Sequence, residues 1–214
     1  MLPWHHPEEI ANGLTHGLGL LLSLVGGTAM LRVVLSEGTP WKIVGCGIYV
    51  GALIAVYLAS TVSHLAQEPG FKDTWRRIDQ AVIYLLVVGT YTPFALAYLC
   101  FGWWWLLFGT LWAIALFGFV TKLGAHHRLE SVHVWSYVML GWLPLIEIGP
   151  ILSQLPPESF QMVLVGGVFY TAGTFFLVLD HRVPFFHSVW HLFVIAGSVT
   201  HYLALMQYVV PLQA

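Results

Sequence analysis

The chain has 214 residues, of which 58% are apolar and 8% charged, with 8 Lys and Arg against 10 Asp and Glu for a formal net charge of −2. A soluble domain carries about a quarter charged residues, so this composition and a mean hydropathy of +0.78 exclude water as the main solvent. No basic patch beyond ordinary loop charges is present, which leaves nucleic-acid binding without support.

A hydrocarbon core about 30 Å thick takes about 20 apolar residues per helical span. Windows of that kind predict an all-α bundle of seven transmembrane helices in a single domain, at residues 13–31, 43–66, 80–101, 102–121, 132–152, 160–179 and 187–210. The opening MLPWHHPEEI has no Lys or Arg ahead of the first apolar run, so the first span is expected to be retained and not cleaved as a leader. Glu9 and Asn12 precede His16 at spacings suited to capping that helix or bracing the bundle. The second span closes on Ser60 and His64, four residues apart and therefore on one helix face. Ser60 either hydrogen-bonds a neighbouring polar group or returns its proton to its own i−4 carbonyl.

Asp79 opens the third span after the longest connection, residues 67–79. The third and fourth spans nearly touch at Cys100-Phe101-Gly102, which predicts a tight hairpin with Trp103, Trp104 and Trp105 at the interface. Cys46 and Cys100 fall near the same outer face; that permits a disulfide, although such cysteines are more often small packing residues. His126, His127 and Arg128 follow Lys122 in a basic loop suited to headgroup contact, with His133 on the same side. Glu147 lies between Pro144 and Pro150 in the fifth span, where a kink exposes backbone carbonyls and a protonated, hydrogen-bonded carboxyl is expected. Gly26-Gly27 and Gly166-Gly167 permit close helix approach, within a bundle as readily as between chains.

Excess positive charge stays cytoplasmic. Lys72, Arg76, Arg77, Lys122, Arg128 and Arg182 lie on the side of the N-terminus, against Arg32 and Lys42 on the other. The count predicts a cytoplasmic N-terminus and, with an odd number of spans, an external C-terminus.

Ionisable groups inside spans are costly and mark functional positions. His64 ends the second span, Asp79 begins the third, and His187 and His191 begin the seventh; these ends share one membrane face whichever way the chain is inserted. At about 1.5 Å rise per residue, all four fall within about 10 Å of one interface. His187 and His191 stack on one helix face and can chelate a single ion, with His64 as a third ligand. Three His and an open position form the usual catalytic zinc pattern. Asp79 is then either an outer carboxylate that orients a ligand or takes a proton from bound water, or a direct fourth ligand. His201 lies about 21 Å beyond His187 and cannot reach the same ion.

On Glu9-x-x-Asn12-x-x-Thr15-His16, Ser60-x-x-x-His64, Asp79 and His187-x-x-x-His191, the chain resembles the bacterial haemolysin III proteins, which belong with the progestin and adiponectin receptors. The likeness covers nearly the whole chain, and His201 also looks like a family feature. It implies zinc held by the positions of His64, His187 and His191 with Asp79 beside it, an N-in, C-out topology, and the bacterial plasma membrane as location. Through the more distant alkaline ceramidases it implies a zinc hydroxide attacking a lipid amide or ester carbonyl, with Asp79 and Ser60 as catalytic candidates and membrane lipids as partners. The competing class is non-enzymatic: a zinc-stapled sensor, regulator or cytolysin. A retinal protein is excluded because no Lys lies within the last span, and two similar transporter halves are not found.

Overall fold

The computed structural model describes residues 5–99, 102–124 and 130–211, and every regular element there is a helix. In chain order these are α1 (His5–Glu37), α2 (Pro40–Leu65), α3 (Pro69–Tyr98), α4 (Trp104–Gly124), α5 (Glu130–Trp142), a 3-10 turn (Leu143–Glu147), α6 (Ile148–Gln154), α7 (Pro157–Leu179) and α8 (Phe186–Tyr208). Cys100, His126, His127 and Arg128 lie outside the described residues, as does the side chain of His133, so the disulfide and headgroup readings have no structural counterpart. Cys46 is a buried packing residue.

Six helices, α1 to α4, α7 and α8, are long and apolar enough to cross a membrane. Their outward faces carry large apolar side chains in the open, among them Leu14, Val25 and Phe117. A soluble monomer rarely shows such continuous apolar surface, so lipid is the solvent for it.

α2, α3 and α7 each start with Pro in the first turn, where a missing N–H costs nothing. α3 is capped by Glu68, whose carboxylate accepts from the amides of Gly70 and Phe71. It therefore begins well before the apolar window at 80, and its first turns carry Lys72, Asp73, Arg76 and Arg77 outside the hydrocarbon. Asp79 accordingly sits within the helix and not at its start.

The window at 132–152 is not one helix. Pro144 has no N–H to donate, and its ring clashes with the preceding turn; the chain tightens into the 3-10 turn there before α6 resumes. Only a shorter apolar helical stretch, Val134–Glu147, remains of the fifth segment. Glu147 is exposed at its end, which corrects the expectation of a hydrogen-bonded carboxyl. At the α3–α4 connection Gly102 has φ 53, a left-handed value that glycine adopts freely. Trp103 is 80% exposed there and Trp105 partly so, while Trp104 turns into the core.

α1 packs on α2 and α8, α2 on α3, α3 on α4 and α5, and α7 on α5 and α8, so the helices close into a ring. Among apolar helices in lipid, close packing replaces hydrophobic exclusion as the cohesive force, and small residues let backbones approach. Gly166 shows why: a Cβ there would lie 2.3 Å from the His201 ring. The Gly26 and Gly27 positions likewise face Tyr202 and Val50 of the same chain, so these glycines serve contacts inside the bundle. Within the ring runs a cavity of about 660 Å3, mostly apolar in its walls, from His187 and His191 at one end past His201 to Leu155 at the other.

Candidate metal centre

His64, His187 and His191 meet. One ligand atom from each lies within 4.8 Å of the others, and the ring centroids are 4.6 to 5.1 Å apart. His64 comes from the last turn of α2, and the other two from successive turns of α8. His64 and His191 are buried and His187 is half-buried at the rim.

Each ring is gripped from outside at Nδ1. His64 Nδ1 is 2.7 Å from Glu9 Oε2 and His187 Nδ1 is 2.7 Å from Asp180 Oδ2. His191 Nδ1 is 3.2 Å from the Asn12 carbonyl and 3.0 Å from Thr15 Oγ1. A carboxylate or carbonyl oxygen only accepts, so each Nδ1 is the N–H that donates. Thr15 agrees, because its own proton goes to the Ala11 and Asn12 carbonyls, leaving its oxygen to accept. The tautomer of all three imidazoles is thereby fixed, and the Nε2 lone pair of each is left for another partner. His64 Nε2 is buried with no hydrogen-bond partner among the described residues. Imidazole lone pairs gathered this closely, with outer oxygens holding the opposite nitrogens, suit a divalent transition metal such as zinc.

Sequence reasoning named Glu9, Asn12 and Thr15 but not the histidines that they hold. Glu9 and Asn12 lie inside α1, which begins at His5, so they brace and do not cap. Glu9 is the hub: its Oε1 meets Lys72 Nζ at 3.0 Å and Arg76 Nη2 at 2.9 Å, and Oε2 meets His64. Asn12 Oδ1 accepts from the Ser188 hydroxyl at 2.5 Å. Asp180 was not singled out at all. It ends α7, seven residues before His187, and no helical periodicity links the two; the intervening turn brings them together. That turn holds Phe185 at φ 63, strained for a residue with a Cβ by about 1 to 2 kcal/mol. Its amide donates to Glu8 Oε1 at 2.8 Å, a tie from α1 that offsets part of the cost.

Asp79 and Ser60 both line the cavity beside the histidines. Asp79 is not one of the three clustered metal-ligating groups; its carboxyl faces His187 and Ser60. The Ser60 hydroxyl is buried beside that carboxyl without completing a hydrogen bond of ordinary geometry, and it does not return to its own i−4 carbonyl. His16 is 3% exposed and stacks on His191 with centroids 3.4 Å apart. His201 sits far down the cavity, stacked on Tyr170 and donating from Nδ1 to the Gly197 carbonyl at 2.8 Å.

The outer carboxylates should tune metal affinity unequally. Losing such a partner typically costs 10- to 100-fold. Asp180 is 27% exposed, so water replaces it in Asp180→Ala and zinc affinity should fall about tenfold. Glu9→Ala also frees the cationic Lys72 and Arg76 beside the site, and the loss should approach the hundredfold end. Competition with a fluorescent zinc chelator measures both; equal losses would contradict the difference in exposure and charge.

A family model described as haemolysin-III related matches residues 4–202. The chain is 33% identical over 204 residues to Hemolysin-3 of Bacillus cereus, covering 95% of this chain and 93% of that one. It is 34% identical over 203 residues to a Hemolysin-3 homolog of Bacillus subtilis, covering 95% of each. At 26% identity over 210 residues it is similar to the human monocyte to macrophage differentiation factor, covering 94% of this chain and 84% of that one. No solved structure matches the chain significantly.

Proposed function

The chain belongs to the haemolysin-III-related family and is a multi-pass membrane protein, and we propose that it is a zinc-dependent hydrolase acting on lipid amide or ester bonds within the membrane. The observation that carries this reading is the set of three imidazoles, each donating from Nδ1 to an outer oxygen, at the end of a lipid-sized apolar cavity. Zinc held by His64, His187 and His191 would polarise a carbonyl and lower the pKa of a bound water to about 7. Asp79, at the cavity wall beside the histidines, is the group that would take up a proton on its carboxylate. Ser60 lies beside that carboxyl in the cavity wall, and the apolar walls hold the hydrocarbon of the substrate away from water. The broken fifth segment completes seven spans, with the N-terminus cytoplasmic, a reading supported by six Lys and Arg flanking the spans on one side against two on the other.

A lipid-product assay tests the chemistry. Purified protein incubated with mixed N-acyl and O-acyl lipids should release free fatty acid, read by mass spectrometry, and a zinc chelator should abolish the release. Holo-protein that carries zinc yet yields no chelator-sensitive product would leave only a structural staple, which the bracing of α2 and α8 by α1 through the same histidines would also serve.

A further inference from the structure

Buried polar atoms in folded proteins are almost always hydrogen-bonded, and an exception points to a ligand or an ordered water. Two side chains of the cavity wall supply three exceptions: His16 Nδ1, His16 Nε2 and Ser60 Oγ. His16 is 3% exposed and Ser60 1%, so bulk water does not satisfy them.

The two groups line the same cavity from packed helices, His16 from α1 and Ser60 from α2. Tyr57, Ser60 and His64 follow one another at i, i+3 and i+7 and so share one face of α2. The His16 ring meets Tyr57 edge-on with centroids 5.0 Å apart, at one end of that face. It also lies flat on His191, whose ring is 5.1 Å from that of His64 at the other end. Ser60 thus shares a helix face with Tyr57, which His16 touches, and with His64, whose ring neighbours the His191 ring on which His16 lies. None of the outer oxygens that hold the three clustered histidines reaches His16.

Their chemistry defines the ligand. A neutral imidazole has one donor and one acceptor nitrogen, and a hydroxyl both donates and accepts. Carboxylate or phosphate oxygens only accept and would leave the imidazole lone pair orphaned; an ammonium only donates. We propose that His16 and Ser60 form a polar subsite, beside the three-histidine centre, that binds a neutral hydroxyl group on a lipid entering the cavity. The subsite rests on the reading of the cavity as a lipid site, but it requires neither turnover nor bound zinc.

The probes are hexadecanol and hexadecyl methyl ether, which share a chain and an accepting oxygen but differ in the proton that His16 would accept. Equilibrium dialysis against detergent-purified full-length protein should show the alcohol bound roughly five- to tenfold more tightly, the range of one net hydrogen bond. In His16→Phe, which keeps an aromatic face against His191, the difference should vanish while zinc content stays unchanged. Ser60→Ala should reduce the difference in the same direction and serves if His16→Phe does not fold. Equal binding of alcohol and ether by the unaltered protein would mean that the subsite keeps its own water, and would overturn the proposal. So would a preference for the alcohol that survives in both variants. Neither result bears on whether the zinc centre cleaves lipids, which the fatty-acid assay decides separately.

Discussion

With His191 replaced by alanine, zinc per protein is expected to fall from about 0.9 to about 0.1 or less at a free-zinc concentration about tenfold above the dissociation constant of the unaltered chain. Protein zinc sites with four ligands bind with about 10 to 16 kcal/mol, or roughly 3 to 4 kcal/mol per ligand. Losing one ligand therefore lowers affinity by two to three orders of magnitude. His191 is the most deeply set of the three, at 1% exposure, and it carries the Asn12 and Thr15 contacts of α1. Its loss should also cut the zinc-dependent stabilisation from about 4 kcal/mol, when zinc stands a thousandfold above the original dissociation constant, to about 1 kcal/mol. Elemental analysis together with thermal unfolding, with and without added zinc, reads both effects. Leu192→Ala, at an exposed neighbouring position, should change neither. Stoichiometric zinc in His191→Ala would remove the centre from consideration.

The second large effect is expected at Asp79. If its carboxylate takes the proton of the attacking water, Asp79→Asn should lower fatty-acid release by about 10²- to 10⁴-fold, the usual contribution of a positioned base, with zinc content unchanged. A parallel loss of zinc would instead make Asp79 a ligand that closes around the metal, despite its position outside the group of three. Full activity in Asp79→Asn would assign the proton to another group and leave Asp79 a structural neighbour of Ser60.

The lipid-embedded parts of the bundle were legible because a run of about twenty apolar residues matches the thickness of a bilayer and suits little else. Helix ends were less so: α3 starts at Pro69 because Glu68 and Pro69 form a start signal independent of hydropathy, and a window sees only the part immersed in lipid. The two prolines of the fifth segment announced a kink, but the 3-10 turn and the outward Glu147 depend on neighbours that no local pattern names. In the centre itself, His64, His187 and His191 could be found from depth and four-residue spacing. Asp180 could not, since it reaches His187 through an irregular turn held by Phe185 and Glu8. Glu9 and Asn12 were visible as polar residues near a helix start, yet their role depends on α1 lying against both α2 and α8, a fact of packing.

That packing has a consequence for biogenesis. The centre draws its imidazoles from α2 and α8 and its outer oxygens from α1 and the end of α7, so a nascent chain emerging from the ribosome has the α1 bracing residues long before the final imidazoles. Glu9 and His64 can pair early, but the last helix must insert before three nitrogens exist to share an ion. A metal held by the three imidazoles could therefore be taken up only once the last helix is made, because a chain arrested before Phe186 lacks two of the three.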